Sequence, residues 1–383
     1  MRILFVSHTL PLPGQPTSNL GGMQRMASEM YEALEAHPRV TLFSLVLESS
    51  SRWTGIRTAP FLARLLFEIP RMVRRHRVDV VLFSSMVTAT TAVLLRPGLR
   101  GTGALLAATP VGRDVTLPGA AYQRFVPRVL RALDLVLPIS RATGDECLAR
   151  GLPPERMAIV PVGIDVSRFP PVTDRAATRA ALVAALRAAG HPAPPENALL
   201  LCSLGRHQER KGFHWFAGEV LPRLPQDVVY LLGGGGPMTE AIRAAAADAG
   251  VADRLYLLGR VSEEMLATLY RGADLFVMPN IPVPGDIEGF GVVMLEAGLS
   301  GLPIVAAELE GILDVVTEGE NGVLLPTRDA AAFAEAILRY RADPAMLRAA
   351  SVRAAAFTAG RFAWHSVAAQ YVAALNAHLP ARG

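Results

Sequence analysis

Two carboxylates, Glu288 and Glu296, stand eight residues apart in DIEGFGVVMLEAGLSGLPIVAA, Asp286 to Ala307, a stretch otherwise almost wholly apolar and glycine-rich. A carboxylate in such surroundings is costly to bury without hydrogen-bond partners, and sugar or ribose hydroxyls are suitable donors. The plainer alternative is that Glu288 complements a helix dipole and Glu296 caps a buried network. The segment DLFVMPN reads as a strand, IPVPGDIEGFG as the loop at its carboxyl end, and VVMLEAGLS as a short helix stopped by Gly301 and Pro303. Glu288 then lies in the loop, and Glu296 lies inside the helix. Gly289 and Gly291 remove side chains where a ligand would need close approach. Earlier, RHQERKGFHWF places Arg206 and Lys211 in one loop leading into a helix whose first turn is expected to contain Gly212. A forked guanidinium, an ammonium and the N–H groups of a helix start suit a doubly charged phosphate, although a solvated basic loop has the same composition. Glu288 and Glu296 could instead be the paired carboxylates of a glycoside hydrolase, which need ~5 to 9.5 Å across a scissile bond. Their loop-then-helix placement beside a phosphate loop fits ligand holding better. LLGGGGPMTEA lacks the GxGxxG spacing and reads as a structural strand-to-helix turn.

These loops must be carried by a parallel sheet. RILFVS, VTLFSLVLE, VDVVLFSS, GALLAAT, LDLVLPIS and MAIVPVG are continuous apolar runs, the pattern of strands covered on both faces, and helical stretches lie between most of them. Prolines bracket an Ala/Arg helix in Pro170 to Asn197, the natural boundary, and a second series follows: ALLLCSLG, VVYLLG, RLYLLG, LFVMPN, PIVAAE and GVLLP. The expected fold class is α/β, two successive doubly wound units with ligands at the carboxyl ends of strands, gripped between the two units.

Composition is consistent with this. At 383 residues, two domains are the default, and 51% hydrophobic content supplies ample core. Cys147 and Cys202 are far apart and have no metal-ligand spacing, so no disulfide framework is implied. The N-terminus resembles a first strand rather than a signal peptide, and the uncharged run Val80 to Leu95 falls short of a spanning helix. A cytoplasmic protein is expected. The net charge of +4 suits phosphates or an anionic membrane surface without deciding between them, and no nucleic-acid partner is expected. No GxGxxG follows an early strand, which argues against a nicotinamide dehydrogenase.

GRHQERKG, then LLGRVSEEMLATLYRGADLFVMPN, then Glu-x7-Glu in EGFGVVMLEAG and later EGENGVLLP, in that order, resemble the retaining glycosyltransferases of family four, with the GT-B fold. The match covers essentially residues 198–345; GGMQRMASEMYEAL and PISRATGDECLARGLPPERMAIVPVGIDVSRF match more loosely. The resemblance implies two Rossmann-like domains facing a central cleft. Residues 1–168 would form the acceptor-side domain, 169–197 a linker, 198–360 the nucleotide-sugar domain and 361–383 a C-terminal helix crossing back to the first domain. It implies sugar transfer from a nucleotide-diphosphate sugar of UDP or GDP type to a hydroxyl acceptor, lipid-linked acceptors included, with retention and without a metal; no DxD motif occurs. Arg206, Lys211 and Glu288 would be catalytic, the first two at the diphosphate beside Gly205 and Glu288 on hydroxyls of the transferred sugar. Glu296 would hold the ribose, Phe290 and Gly291 would offer backbone N–H groups, and Gly289 and Val292 would line the donor site. Gly259 to Ser262, with Arg260 and Val261, would line the base pocket, and Gly21 with Gly22 would approach the diphosphate.

Two positions depart from the family's pattern. Where the family shows His-Gly-x-Glu or His-Gly-x-Asp, this chain has VGRD, with Val111 in the histidine's place, and the usual Asn-Gly is VGID, with Val162 for Asn. His8, after the first strand, Arg113 and Asp114 are the acceptor-side candidates; a loop histidine and a helix cap are their ordinary roles. A protein that binds a nucleotide sugar without transferring it is the alternative that Val111 raises. Finally, Phe61, Leu62, Leu65, Leu66, Ile69 and Val73 follow a helical period in RWTGIRTAPFLARLLFEIPRMVRRHR, with Arg64, Arg71, Arg74 and Arg75 elsewhere around the turn. Such a helix packs on the first sheet and shows solvent a basic side, on which peripheral contact with an anionic membrane at its inner face could rest.

Overall fold

The computed structural model describes residues 1–11, 22–48, 54–117, 119–170, 172 and 174–379. The chain forms two compact units, residues 1–163 with 362–383, and residues 164–361.

The first unit holds five parallel strands, β1 (Arg2–Leu10), β2 (Thr41–Glu48), β3 (Val80–Phe83), β4 (Leu105–Ala108) and β5 (Leu135–Val136), in the order β2-β1-β3-β4-β5. The run MAIVPVG does not form a further strand. Met157 makes one isolated bridge to Val136, Ala158 and Val160 donate to the carbonyls of Val136 and Pro138, and there the pairing stops. Pro138 and Pro161 have no N–H to offer a ladder, which limits both β5 and its neighbour. The helix Thr54–His76 buries Phe61, Leu65, Ile69 and Val73, the i, i+4 face, against this sheet's core, leaving Leu62 and Leu66 half-buried. Each such burial contributes about 1.5–3 kcal/mol. The helix Trp364–Ala377 belongs to this unit, where the Trp364 indole N–H donates to Glu29 at 2.6 Å and its ring fills the space that a Cβ on Gly163 would need.

The second unit holds six parallel strands, β6 (Leu199–Leu204), β7 (Val228–Gly233), β8 (Leu255–Gly259), β9 (Leu275–Met278), β10 (Ile304–Ala307) and β11 (Gly322–Leu325), in the order β11-β10-β9-β6-β7-β8. The chain winds outward from β6 to β8, then restarts at β9 on the other side of β6. That reversal makes the β6/β9 junction the topological switch point, the place where open α/β sheets hold ligands. The expected linker, 169–197, is part of this unit. Its helix Arg175–Ala188 buries Leu182 and Leu186, and Arg175 and Arg179 both pair with Asp274, which also accepts the N–H of Leu200 at 2.7 Å. Gly272 has no side chain because Leu182 occupies its Cβ position at 2.6 Å. The proline-flanked composition reads as a boundary, but the apolar face of the helix and its two arginines tie it to β6 and β9.

Candidate donor site at the switch point of the second sheet

The loop after β6 and the loop after β9 meet at the switch point. Lys211 ends a 3-10 turn, Glu209–Lys211, and is buried. Gly212 follows at φ +64°, ahead of the helix that starts at Phe213 and not within its first turn. A Cβ on Gly212 would stand 2.0 Å from the carbonyl oxygen of Pro279, so only glycine lets this loop lie against the end of β9. Ile281 N–H donates to Arg210 O at 2.9 Å and closes the contact.

Across it, Lys211 Nζ sits 2.5 Å from Glu288 Oε2, Arg210 pairs with the same oxygen, and Asn280 Nδ2 donates to it at 3.0 Å. Arg210 Nε lies 3.3 Å from Asp286, so its guanidinium spans both acids of the loop. Glu288 is 6% exposed. Burial alone would raise its carboxyl; the charges of Lys211 and Arg210 outweigh that and hold it down at about 2. Burial lowers the Lys211 ammonium, a pull that Glu288 opposes. Arg206 differs: it is exposed and pairs with no carboxylate among the described residues.

Glu296 sits inside the helix Val292–Leu299, flanked by buried Leu295 and Ala297, and is 4% exposed. Its protein partners include Tyr270, whose hydroxyl donates at 3.3 Å, and Arg168, 3.6 Å away; Arg168 also reaches Glu263 at 2.8 Å. Gly291, at φ +85°, precedes this helix, no side chain caps it, and Phe290 is buried while Gly289 and Val292 are half-buried. The glycine run after β7 is structural and fixes Arg206 in place. Gly205 N–H donates to Gly233 O and His207 N–H to Gly235 O, both at 3.1 Å, and Cβ atoms on Gly234 and Gly236 would strike the carbonyls of Gly205 and His207. His207 is buried with Nδ1 2.8 Å from Thr239 Oγ1, and burial lowers its pKa. After β8, Arg260 is exposed and Val261 packs beside Gly233, whose neighbour Gly234 donates to Gly259 O at 2.7 Å.

In the first unit, His8 lies within β1, which continues past the expected end because its backbone still pairs with β2 at Leu10 and Glu48. It is buried, with Nδ1 3.4 Å from Ser85 Oγ, and burial lowers its pKa to about 4, so the ring is neutral. Asp114 is buried and accepts the N–H groups of Met86 at 3.0 Å and Val111 at 2.9 Å. Burial raises its carboxyl to about 7 against those two bonds. It fastens the VGRD turn to the end of β3. Val111 is half-buried and Gly22 begins the exposed end of the helix Gly22–Glu35. Gly21 and the side chain of Arg113 lie outside the described residues. Among the described residues no three His, Cys, Asp or Glu side chains converge as a metal site, and no helix is long and apolar enough to cross a membrane.

Sequence reasoning singled out Lys211 and Glu288, which meet, but missed Arg210, Asn280, Asp286, Arg168 and Tyr270. Arg210 had a local signal, a second cation beside Lys211 in QERKG. Arg168 and Tyr270 had none, because only folding brings them to Glu296.

Two parallel α/β units, with charged loops meeting at the switch point of the second, have the architecture of the GT-B glycosyltransferase fold. Similar solved structures agree: sucrose-phosphate synthase from Thermosynechococcus elongatus has TM-score 0.71 and 21% identity, covering 98% of each chain. Anabaena HepE in complex with UDP has TM-score 0.68 and 20% identity, covering 98% of this chain and 100% of the other. Residues 198–343 match the family model for glycosyl transferases group 1, and residues 20–168 match that for glycosyltransferase family 4. The chain belongs to glycosyltransferase family 4. Its relatives include a D-inositol 3-phosphate glycosyltransferase of Geodermatophilus obscurus, 36% identical over 238 residues, 59% of this chain and 48% of that one. Another, of Streptomyces bingchenggensis, is 32% identical over 63% of this chain and 52% of its own length. The chain thus spans about half the length of these curated relatives. A GDP-mannose-dependent alpha-(1-6)-phosphatidylinositol monomannoside mannosyltransferase of Mycolicibacterium smegmatis is 28% identical over 82% of this chain and 80% of that one.

The Glu288 pairing has a pH consequence. Its folded pKa, about 2, lies below the ordinary 4.5, so the folded state binds fewer protons than the unfolded state between those values. The stability it contributes is complete above pH 4.5 and is lost as pH falls toward 2. Urea unfolding of the wild type and of Glu288→Gln at pH 3 and pH 6 should show a smaller acid-side loss in the variant; equal losses would contradict the pairing.

Proposed function

We propose that this protein transfers a sugar from a nucleotide-diphosphate sugar of UDP or GDP type to a hydroxyl acceptor, with retention and without a metal ion, in glycoconjugate synthesis. The observation that carries this reading is the buried Lys211–Glu288 pair at the switch point, with Arg206 exposed in the same loop and paired with no carboxylate among the described residues. As the anomeric C–O bond breaks, its electron pair leaves with the diphosphate. Cations already fixed at that position lower the barrier without reorganising. Arg206 pairs with no carboxylate among the described residues, and Lys211 can shift from Glu288 to the phosphate because Arg210 and Asn280 still hold Glu288. Glu288 then accepts hydroxyls of the transferred sugar and Glu296 accepts those of the ribose. The acceptor oxygen bonds the anomeric carbon on the face the diphosphate leaves, and its proton passes to a departing phosphate oxygen. This same-face transfer needs no histidine at position 111. Support for an inositol-type or lipid-linked acceptor comes from relatives named for inositol 3-phosphate and phosphatidylinositol monomannoside.

Arg206→Ala and Lys211→Ala should each lower turnover of the preferred nucleotide sugar by ~10²-fold, the usual effect of removing a transition-state donor, and wild-type turnover should persist in excess chelator. Near-normal turnover in Arg206→Ala, or EDTA inhibition rescued by Mg²⁺ or Mn²⁺, would contradict the scheme.

The helix Thr54–His76 supports a peripheral location on the inner face of an anionic membrane. Its apolar face is spent on the core, so docking would rest mainly on charge. What it offers solvent is Arg64, Arg71, Arg74 and Arg75, with Phe67 80% exposed among them. Each basic residue near such a surface adds about 1 kcal/mol. The protein should sediment with vesicles rich in anionic lipid, be released by salt, and bind less after Arg71→Glu with Arg75→Glu, while donor hydrolysis is unchanged. Equal binding to neutral and anionic vesicles would favour a soluble acceptor.

A further inference from the structure

Glu310 opens the 3-10 turn Glu310–Asp314 after β10 and holds a left-handed backbone, φ +48°, which glycine adopts freely and other residues adopt at a cost. Its neighbour Gly311 would place a Cβ 2.4 Å from Gly289 O and 2.7 Å from Glu288 O, so this turn lies directly on the Glu288–Gly289 backbone. Two hydrogen bonds fasten them: Gly311 N–H donates to Glu288 O at 3.1 Å, and Glu288 N–H donates to Glu310 Oε2. The second oxygen, Oε1, takes no hydrogen bond from a described residue, and the side chain is half-buried. Glu288, Asp286 and Arg210 are the charged groups around it, and burial with the two acids lifts its carboxyl above the ordinary range, against the Glu288 N–H and Arg210.

A strained residue at a site persists where the surroundings over-determine it, and strain of this kind clusters where ligands are clamped. Glycine would fit the turn without strain and would leave the Gly311 bond intact. What glutamate adds is a carboxylate beside Glu288 with one oxygen uncommitted. We propose that Glu310 is a specificity-determining residue of the donor site, accepting a hydroxyl of the transferred sugar through Oε1 while Oε2 fixes the backbone of Glu288. This rests on the donor-site reading above and deepens it. Two carboxylates anchored to one another, one from each loop, can read two positions of one sugar ring and so separate epimers. A site built to hydrogen-bond a hydroxyl rejects the analogue that lacks it, because its own polar group is then left unpaired.

The test compares wild type, Glu310→Gly and Glu310→Gln on a panel of UDP- and GDP-hexoses with their epimers and deoxy analogues, alongside Tm and the affinity for UDP and GDP. Glu310→Gly should fold with a Tm no lower than wild type and keep the nucleoside diphosphate affinity. It should lose roughly 10- to 100-fold in kcat/KM for the best donor, as for a lost hydrogen bond to a charged group, and much of its discrimination between that donor and one epimer. Glu310→Gln, which keeps an acceptor for Glu288 N–H, should lose less. An active wild type whose epimer discrimination survives in Glu310→Gly would overturn this inference alone. A wild type that turns over no nucleotide sugar and binds neither diphosphate would overturn the donor reading together with it.

Discussion

The buried ion pair between Lys211 and Glu288 is the constraint around which the second unit's chemistry is arranged. Taking two charges out of water is expensive, and their attraction offsets this only with good geometry and further hydrogen bonds. Arg210 and Asn280 supply those bonds to the Glu288 carboxylate, while the Glu288 backbone N–H donates to Glu310 and fixes the loop that carries it. Gly212 lets the Lys211 loop reach the end of β9, and Gly311 lets the β10 loop reach Glu288. The glycines here are consequences of close backbone contacts, Gly212 against Pro279 O and Gly311 against the carbonyls of Glu288 and Gly289.

The sheet order explains why the pair forms at this place. Strands β6 and β9 are neighbours in the sheet but distant in sequence, because the chain winds out to β8 before returning. Their loops therefore meet at the switch point, and a cation from one pairs with an anion from the other. The local charges nearly cancel: Arg210 and Lys211 face Asp286, Glu288 and Glu310. Arg206 stands outside that balance, held by the clasp between the β6 loop and the glycine run. Among the described residues Arg206 pairs with no carboxylate; on the proposed reading it would meet a diphosphate first, and Lys211 would follow by exchange from Glu288.

Much of this was legible in the sequence. Continuous apolar runs gave ten of the strands because a sheet buried on both faces needs them, and Glu288 and Glu296 stood out because carboxylates in apolar stretches are costly. The eleventh strand, β5, was foreseen too but is only Leu135–Val136, cut short by Pro138, and the run at Met157 failed as a strand because Pro161 follows. For 169–197, read as a linker or helical connection, the proline flanks show a break in the chain's direction, while the burial of Leu182 and the pairing of two arginines with Asp274, which place its helix in the second unit, have no local signal. Partners such as Arg168, Tyr270 and Glu310 carry no local pattern. Their roles depend on which loops the topology brings together, and Glu310 is distinguished only by a backbone angle.

The most direct test of this account is a double-mutant cycle on the ion pair, with urea unfolding at neutral pH of the wild type, Lys211→Met, Glu288→Gln and the double variant. Removing one partner of a buried pair leaves a charge uncompensated, so each single variant should lose roughly 3 kcal/mol and the double variant clearly less than the sum, a coupling of at least about 2 kcal/mol. Losses that add to within about 0.5 kcal/mol would mean that Lys211 and Glu288 do not sense one another, and would contradict a donor site organised around their pairing.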